Sequence, residues 1–246
     1  MDSSNRNAVS AAERTVRVDL GRVSLEGNLT LPENARGVVL FAHGSGSSRF
    51  SPRNRFVARQ LQEGGFASLL IDLLTREEEE IDTITRHLRF DIPFLSERLT
   101  AALDWLVVND ATRTLPVGLF GASTGAAAAL VTAATRPREI GAVVSRGGRP
   151  DLADAALDRV TTPTMLIVGE RDEPVIELNR QAMSMLRGVK RLVIVPGATH
   201  LFEEPGTLEQ VATLARAWFM EHLNPPGQGA HPPTPHDYAG DAQTGG

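Results

Sequence analysis

Residues 116–134, PVGLFGASTGAAAALVTAA, carry the reading from which the rest of the fold follows. Pro116 to Phe120 is a short apolar run of strand character, Ala126 to Ala134 is an alanine-rich helix former, and Gly121-Ala122-Ser123-Thr124-Gly125 joins them. This is G-x-S-x-G between a strand and a helix, a tight turn that lifts the serine out of the chain. Small residues are needed on both sides because the serine backbone is strained and neighbouring chain passes close. The following helix points its first amides toward any negative charge that develops at the serine. Glycines and a serine can also make a plain turn, but the strand-turn-helix context favours Ser123 as a nucleophile.

Working outward, near-continuous apolar runs recur at Gly37 to Ala42, Ala67 to Ile71, Ala142 to Ser145, Thr164 to Val168 and Arg191 to Val195. Such runs mark strands buried on both faces of a parallel sheet. Val16 to Leu20 and Val23 to Leu31, separated by Gly21-Arg22, predict an antiparallel opening hairpin. Helical spacing is found over Phe56 to Glu63, Ile92 to Val108, Thr124 to Thr135, Leu152 to Val160, Val175 to Leu186 and Leu208 to Leu223. In the last of these Leu208, Val211, Leu214, Ala215, Trp218 and Phe219 share a face, and Thr207 with Gln210 suggests a capping box. Strand and helix alternate, which predicts an α/β fold with an open, mostly parallel sheet, helices on both faces and a ligand site outside the carboxyl ends of the strands.

Two stretches fall outside this alternation. Thr75 to Arg89 contains four consecutive glutamates, Glu77 to Glu80, and reads as a solvated excursion with a short helix that could partly roof the site. From Asn224 onward the tail is dense in Pro, Gly and polar residues and is expected to be disordered, as is the polar N-terminal stretch from Met1 to Glu13. Residues 14–223 are then expected to form one domain. No apolar run approaches the roughly 18 to 20 residues needed to span a bilayer, and the N-terminus lacks the apolar core of a secretory signal.

A formal net charge of -5 supplies no positive field for phosphate backbones or anionic lipid, so a small-molecule substrate is expected rather than nucleic acid or membrane. The chain has no cysteine, which excludes thiolate chemistry and cysteine-based zinc sites and is compatible with a cytoplasmic location. No His/Asp/Glu cluster has metal-ligand spacing, so neither a metal nor an organic cofactor is expected.

A serine nucleophile needs a base to take its proton. His200, in Gly197-Ala198-Thr199-His200, follows the last apolar strand and is the best placed of the histidines. The imidazole in turn needs a carboxylate to fix its tautomer. Asp172 follows the preceding strand and gives the chain order Ser, Asp, His, with Glu170 and Glu173 as competitors and a turn-forming or capping role as the plainer reading. Two backbone amides are expected to hold an oxyanion. One is that of Thr124, and the other is that of Ser45, or alternatively Gly46, in the loop His43-Gly44-Ser45-Gly46-Ser47-Ser48. His43 is expected to brace that loop. A phosphate cradle is disfavoured because no Lys-Ser/Thr ending follows the glycines. Arg49, Arg53 and Arg146 lie near strand ends and are candidates to clamp a substrate carboxylate, although most surface arginines are only solvated.

The motifs HGSGSS, GASTG, GERDEPV and GATHLFEEPG, in this order, resemble the dienelactone hydrolase-like branch of the α/β-hydrolases over Val16 to Leu223. FAHGSGSSRFSPRN, IDLLTREEEE and VVSRGGRPDLA resemble more narrowly the hydrolase domains that occur alone or fused to phosphoribosyltransferase domains; no phosphoribosyltransferase sequence is present in the chain. The resemblance implies the α/β-hydrolase fold with an eight-stranded sheet and little or no cap, a Ser-His-Asp triad, and hydrolysis of small esters or related acyl compounds. Dienelactone hydrolases proper use cysteine where this chain has Ser123, so lactone specificity does not carry over. Thioester hydrolysis and acyl transfer would use the same triad, and a non-catalytic binding protein on the same fold is the competing class.

Overall fold

The computed structural model describes residues 12–223. The expectations for the N-terminal end and the tail fall on 1–11 and 224–246, outside those residues, except that the first strand already begins at Glu13. Eight strands form one sheet: β1 (Glu13–Asp19), β2 (Ser24–Thr30), β3 (Val38–Ala42), β4 (Ala67–Ile71), β5 (Val117–Ala122), β6 (Ile140–Arg146), β7 (Thr164–Gly169) and β8 (Lys190–Val195). Their order across the sheet is β1-β2-β4-β3-β5-β6-β7-β8. β1 and β2 pair antiparallel through the Gly21-Arg22 turn, β2 lies antiparallel to β4, and the remaining pairs are parallel.

The six helices are α1 (Pro52–Glu63), α2 (Arg76–Thr85), α3 (Ile92–Val108), α4 (Thr124–Thr135), α5 (Glu173–Met185) and α6 (Thr207–His222). One face of the sheet buries Leu40, Leu69 and Val143 against Leu99 and Leu103 of α3 and Ala128 and Leu130 of α4. The other buries Phe41, Phe120 and Val144 against Val57 and Leu61 of α1 and Val211, Trp218 and Phe219 of α6. Both faces being covered, the central strands carry apolar residues at consecutive positions, and each such side chain contributes about 1.5–3 kcal/mol of transfer free energy.

Three local expectations change. The run expected to be helical at Leu152–Val160 is a pair of 3-10 turns over Pro150–Arg159, interrupted at Asp154, whose φ of 45° breaks the helical hydrogen-bond ladder. α1 starts at Pro52 rather than Phe56, because Ser51 Oγ accepts from the Asn54 amide and proline is preset for the first helical turn. The capping box expected at Thr207–Gln210 does not form: Gly206 is the cap residue, and the Thr207 hydroxyl donates to the Glu204 carbonyl at 2.7 Å. A capping box forms instead at Thr75 and Glu78, where it starts α2.

The parallel register brings Ala42, Ile71, Ala122, Arg146 and Gly169 to one edge of the sheet. Residues just beyond these ends therefore converge. No helix among the described residues is long and apolar enough to cross a membrane.

Candidate active site

Ser123 follows β5 and has φ 51° and ψ -122°, a conformation that costs an L-residue about 1–3 kcal/mol. Its surroundings hold it there. The Ser123 amide donates to the Arg146 carbonyl at the end of β6, and its own carbonyl accepts from the amides of Ala126 and Arg149, both at 3.1 Å. A side chain at Gly121 would run into the backbone of Ala126, and one at Gly125 would run into the carbonyl oxygens of Ala42 and His43. The two glycines of the motif are thus close-approach positions, and they let β3, β5 and α4 press together beneath the serine.

His200 lies in the loop after β8. Its Nδ1 donates to Asp172 Oδ2 at 2.6 Å, and the Asp172 side chain is 14% exposed. That bond fixes the tautomer and leaves Nε2 free to accept. Asp172 occupies the cap position of α5, yet its side chain makes no capping bond, so the carboxylate serves the histidine rather than the helix. The competing acids are placed elsewhere: Glu170 accepts from the Gly197 amide at 2.8 Å, and Glu173 sits exposed in the first turn of α5. The histidine loop is tied at its base by Glu204, which accepts from the Thr199 amide at 3.0 Å; this bond holds the Glu204 carboxyl below the usual carboxylate range. A Cβ on Gly147, the residue after Arg146, would lie 3.0 Å from the His200 carbonyl oxygen and 3.6 Å from its ring, so the chain leaving β6 runs close beside the histidine.

The loop after β3 faces Ser123 from the other side, and a Cβ on Gly44 would lie 2.8 Å from that of Ser123. His43 braces the loop with both ring nitrogens, Nε2 accepting from the Leu73 amide at 3.0 Å and Nδ1 donating to the Gly44 carbonyl at 3.0 Å. The Ser45 and Thr124 hydroxyls meet at 3.1 Å. Among the described residues no protein group takes the Ser45 or Thr124 backbone amide, which leaves both available to an oxyanion.

A pocket of about 20 Å³, room for a single small group, opens beside this loop and is bordered by Ser45, Asp72, Leu74, Arg89, Leu95 and Thr124. Its far wall is the excursion expected as a partial roof, now resolved into α2 and a 3-10 turn at Leu88–Phe90. Asp82 fastens this cap by accepting from Arg89 Nε at 2.6 Å and from the amides of Leu88 and Arg89. Burial alone would raise the Asp82 carboxyl, but these bonds outweigh it and hold the group below its ordinary value. Arg89 was not singled out as a site residue from the sequence. The Thr75-x-x-Glu78 box signals where the helix starts but not where its far end, and Arg89 beyond it, will lie.

The three candidate arginines separate. Arg49 is consumed by Asp72 and by Glu26, the latter at 2.6 Å, and binds Asn28 as well. Arg53 donates to Glu203 at 3.2 Å at the surface. Arg146 is buried and donates to Asn54 Oδ1 at 3.1 Å, with no carboxylate partner among the described residues. Burial, with the nearby charge of Arg53, pushes it down to about 10. No group of three or more acidic or histidine side chains among the described residues is arranged to hold a metal ion.

The model of the dienelactone hydrolase family matches residues 25–221. A dienelactone hydrolase from Anabaena variabilis, known from its crystal structure, is 61% identical, with a TM-score of 0.86 over 87% of this chain and 100% of that one. Est1E from Butyrivibrio proteoclasticus shares the fold at 17% identity and a TM-score of 0.71, covering 84% of this chain and 98% of its own. Proteins from two strains of Mycobacterium tuberculosis, named as phosphoribosyl transferases, are 54% identical over 232 residues, 92% of this chain and 52% of theirs. The chain thus spans about half the length of those curated relatives.

Proposed function

Since the chain belongs to the dienelactone hydrolase family, we propose that it hydrolyses a small carboxylic ester through Ser123, His200 and Asp172. The observation that carries this reading is the juxtaposition at one sheet edge of a strained serine and a histidine whose Nδ1 is committed to a half-buried carboxylate at 2.6 Å. Nε2 of His200 takes the Ser123 proton as Oγ attacks the ester carbonyl. The carbonyl oxygen becomes an oxyanion between the amides of Thr124 and Ser45. Collapse breaks the C–O bond, the alkoxide leaves with the proton from His200, and an acyl-enzyme remains on Ser123. Water then adds to the acyl carbon, gives its proton to His200, and the acid departs as the serine recovers its proton.

Every step uses groups of the chain and water, so the reaction as written calls for no metal or organic cofactor. The substrate is a small molecule, and the 20 Å³ pocket favours a short group on the side of the cap. A screen of 4-nitrophenyl and thiol esters of increasing acyl length, run on the wild type and Ser123→Ala, tests the proposal. Turnover that falls with chain length and vanishes in the variant is the expected result. Equal turnover by the variant would overturn it.

A further inference from the structure

One fully buried polar side chain takes no part in the chemistry at Ser123. Asn179 lies inside α5, and its Nδ2 donates to two backbone carbonyls, that of Val175 one turn back at 2.8 Å and that of Gly148 at 3.0 Å. Its Oδ1 is buried and has no hydrogen-bond partner among the described residues. A buried amide with one end unsatisfied is costly, so packing alone gives no reason for asparagine at this position. The carbonyl that it holds gives one.

Gly148 is the middle of a short strap, residues 147–149, that leaves β6 beside the nucleophile. Just before the strap the Arg146 carbonyl accepts from the Ser123 amide at 3.3 Å, and at its end the Arg149 amide donates to the Ser123 carbonyl at 3.1 Å. The strap is tied down by the Gly147 amide, which donates to the Ile167 carbonyl of β7 at 2.8 Å, and by Asn179. The Gly148 carbonyl and the Arg149 N–H are the two ends of one peptide plane, so they turn together. Asn179 holds the first and thereby aims the second at Ser123. Glycines on either side of the Gly147-Gly148 bond would otherwise leave this plane free to rotate. A Cβ on Gly148 would run into Ser145 Oγ and the Ala126 methyl, which shows how closely the strap lies on the start of α4.

We infer that Asn179 is a positioning residue for the nucleophile: through the peptide joining Gly148 to Arg149 it holds the Ser123 backbone in its strained conformation. The role rests on the esterase reading above, in which Ser123 attacks. Asn179 acts from α5, which starts at Asp172 about two turns earlier, so the helix that presents the acid to His200 also registers the serine against that pair. Without the Asn179 donors the plane turns, the Arg149 amide leaves the Ser123 carbonyl, and one of the bonds that offset the strain at φ 51° is lost.

The test separates placement of the serine from binding and from stability. Asn179→Leu fills the space and removes both donors, and Asn179→Ala removes them with less bulk should the larger side chain prevent folding. Thr112→Val is the control, because it deletes another buried donor to a backbone carbonyl, that of Leu106 at the amino edge of the sheet. Each protein is treated with a fluorophosphonate at increasing concentration below its melting transition. This gives the saturating rate of labelling at Ser123, kinact, and the constant for reversible binding of the reagent, KI. In both Asn179 variants kinact is expected to fall by about 10- to 100-fold, the cost of a misplaced reacting group. KI should stay within about twofold of wild type, and Thr112→Val should change neither constant by more than that. A kinact within about twofold of wild type in the Asn179 variants, a loss confined to KI, or an equal loss of kinact in Thr112→Val overturns the role of Asn179 and leaves the esterase reading standing. A wild type that takes no label overturns both.

Discussion

Replacing Asp172 with Asn keeps the volume of the side chain and removes its charge, and the cost follows from the geometry. In the proposed mechanism His200 becomes an imidazolium at each tetrahedral step, with Asp172 Oδ2 2.6 Å from Nδ1. Unit charges centred about 4 Å apart interact by about 4 kcal/mol at an effective dielectric near 20. That is worth about 10³ in rate, at 1.36 kcal/mol per tenfold. An amide also turns its N–H toward the ring, which favours the imidazole tautomer protonated at Nε2 and removes the acceptor for the Ser123 proton, so the total loss is expected near 10⁴ in kcat. The assay is initial-rate hydrolysis of 4-nitrophenyl acetate from pH 6 to 9. KM is expected to change little, because Asp172 does not touch the substrate. Glu170→Gln is the control, since Glu170 bonds the Gly197 amide and not the imidazole. A loss below about tenfold in Asp172→Asn, or an equal loss in Glu170→Gln, would refute the assignment of the acid.

Gly125→Ala is expected to lower stability by about 1–3 kcal/mol or more and to depress activity with it, because the added methyl meets two backbone carbonyls that cannot swing aside; chemical denaturation reads the first effect. Asp82→Asn is expected to loosen the cap by about 1.5–3 kcal/mol while the core stays folded, seen as faster hydrogen exchange in α2. The Asp82 carboxyl is lowered in the folded state, so its contribution is complete above its unfolded value and is lost as pH falls through the folded one. Exchange in the wild-type cap should therefore quicken only at strongly acidic pH, and that pH dependence should disappear in Asp82→Asn.

The sheet was readable from sequence because its central strands are buried on both faces, so GVVLFA, ASLLI and TMLIV are apolar without alternation. Edges were less clear. Glu13 and Arg14 lie within β1 but carry the chemistry of loops, since ladder bonds rather than burial hold them. Ser123, His200 and Asp172 stand out in the sequence because each lies in the segment just after a strand. What could not be read was which charged side chains pair: Arg49, Arg53 and Arg146 look alike in sequence, and only the fold brings Asp72 and Glu26 to the first, Glu203 to the second and no acid to the third. The cap was likewise visible as four glutamates, whereas its fastening by Asp82 and Arg89 depends on a turn at Arg86, whose φ of 58° no periodicity reveals.

An activated nucleophile at Ser123 is open to covalent labelling without knowledge of the substrate. Wild type and Ser123→Ala are treated with a fluorophosphonate, their intact masses are measured, and the labelled peptide is mapped. One adduct is expected on the wild type, located at Ser123, and none on the variant. A wild type that stays unlabelled, or a label on another residue that persists in Ser123→Ala, would contradict it.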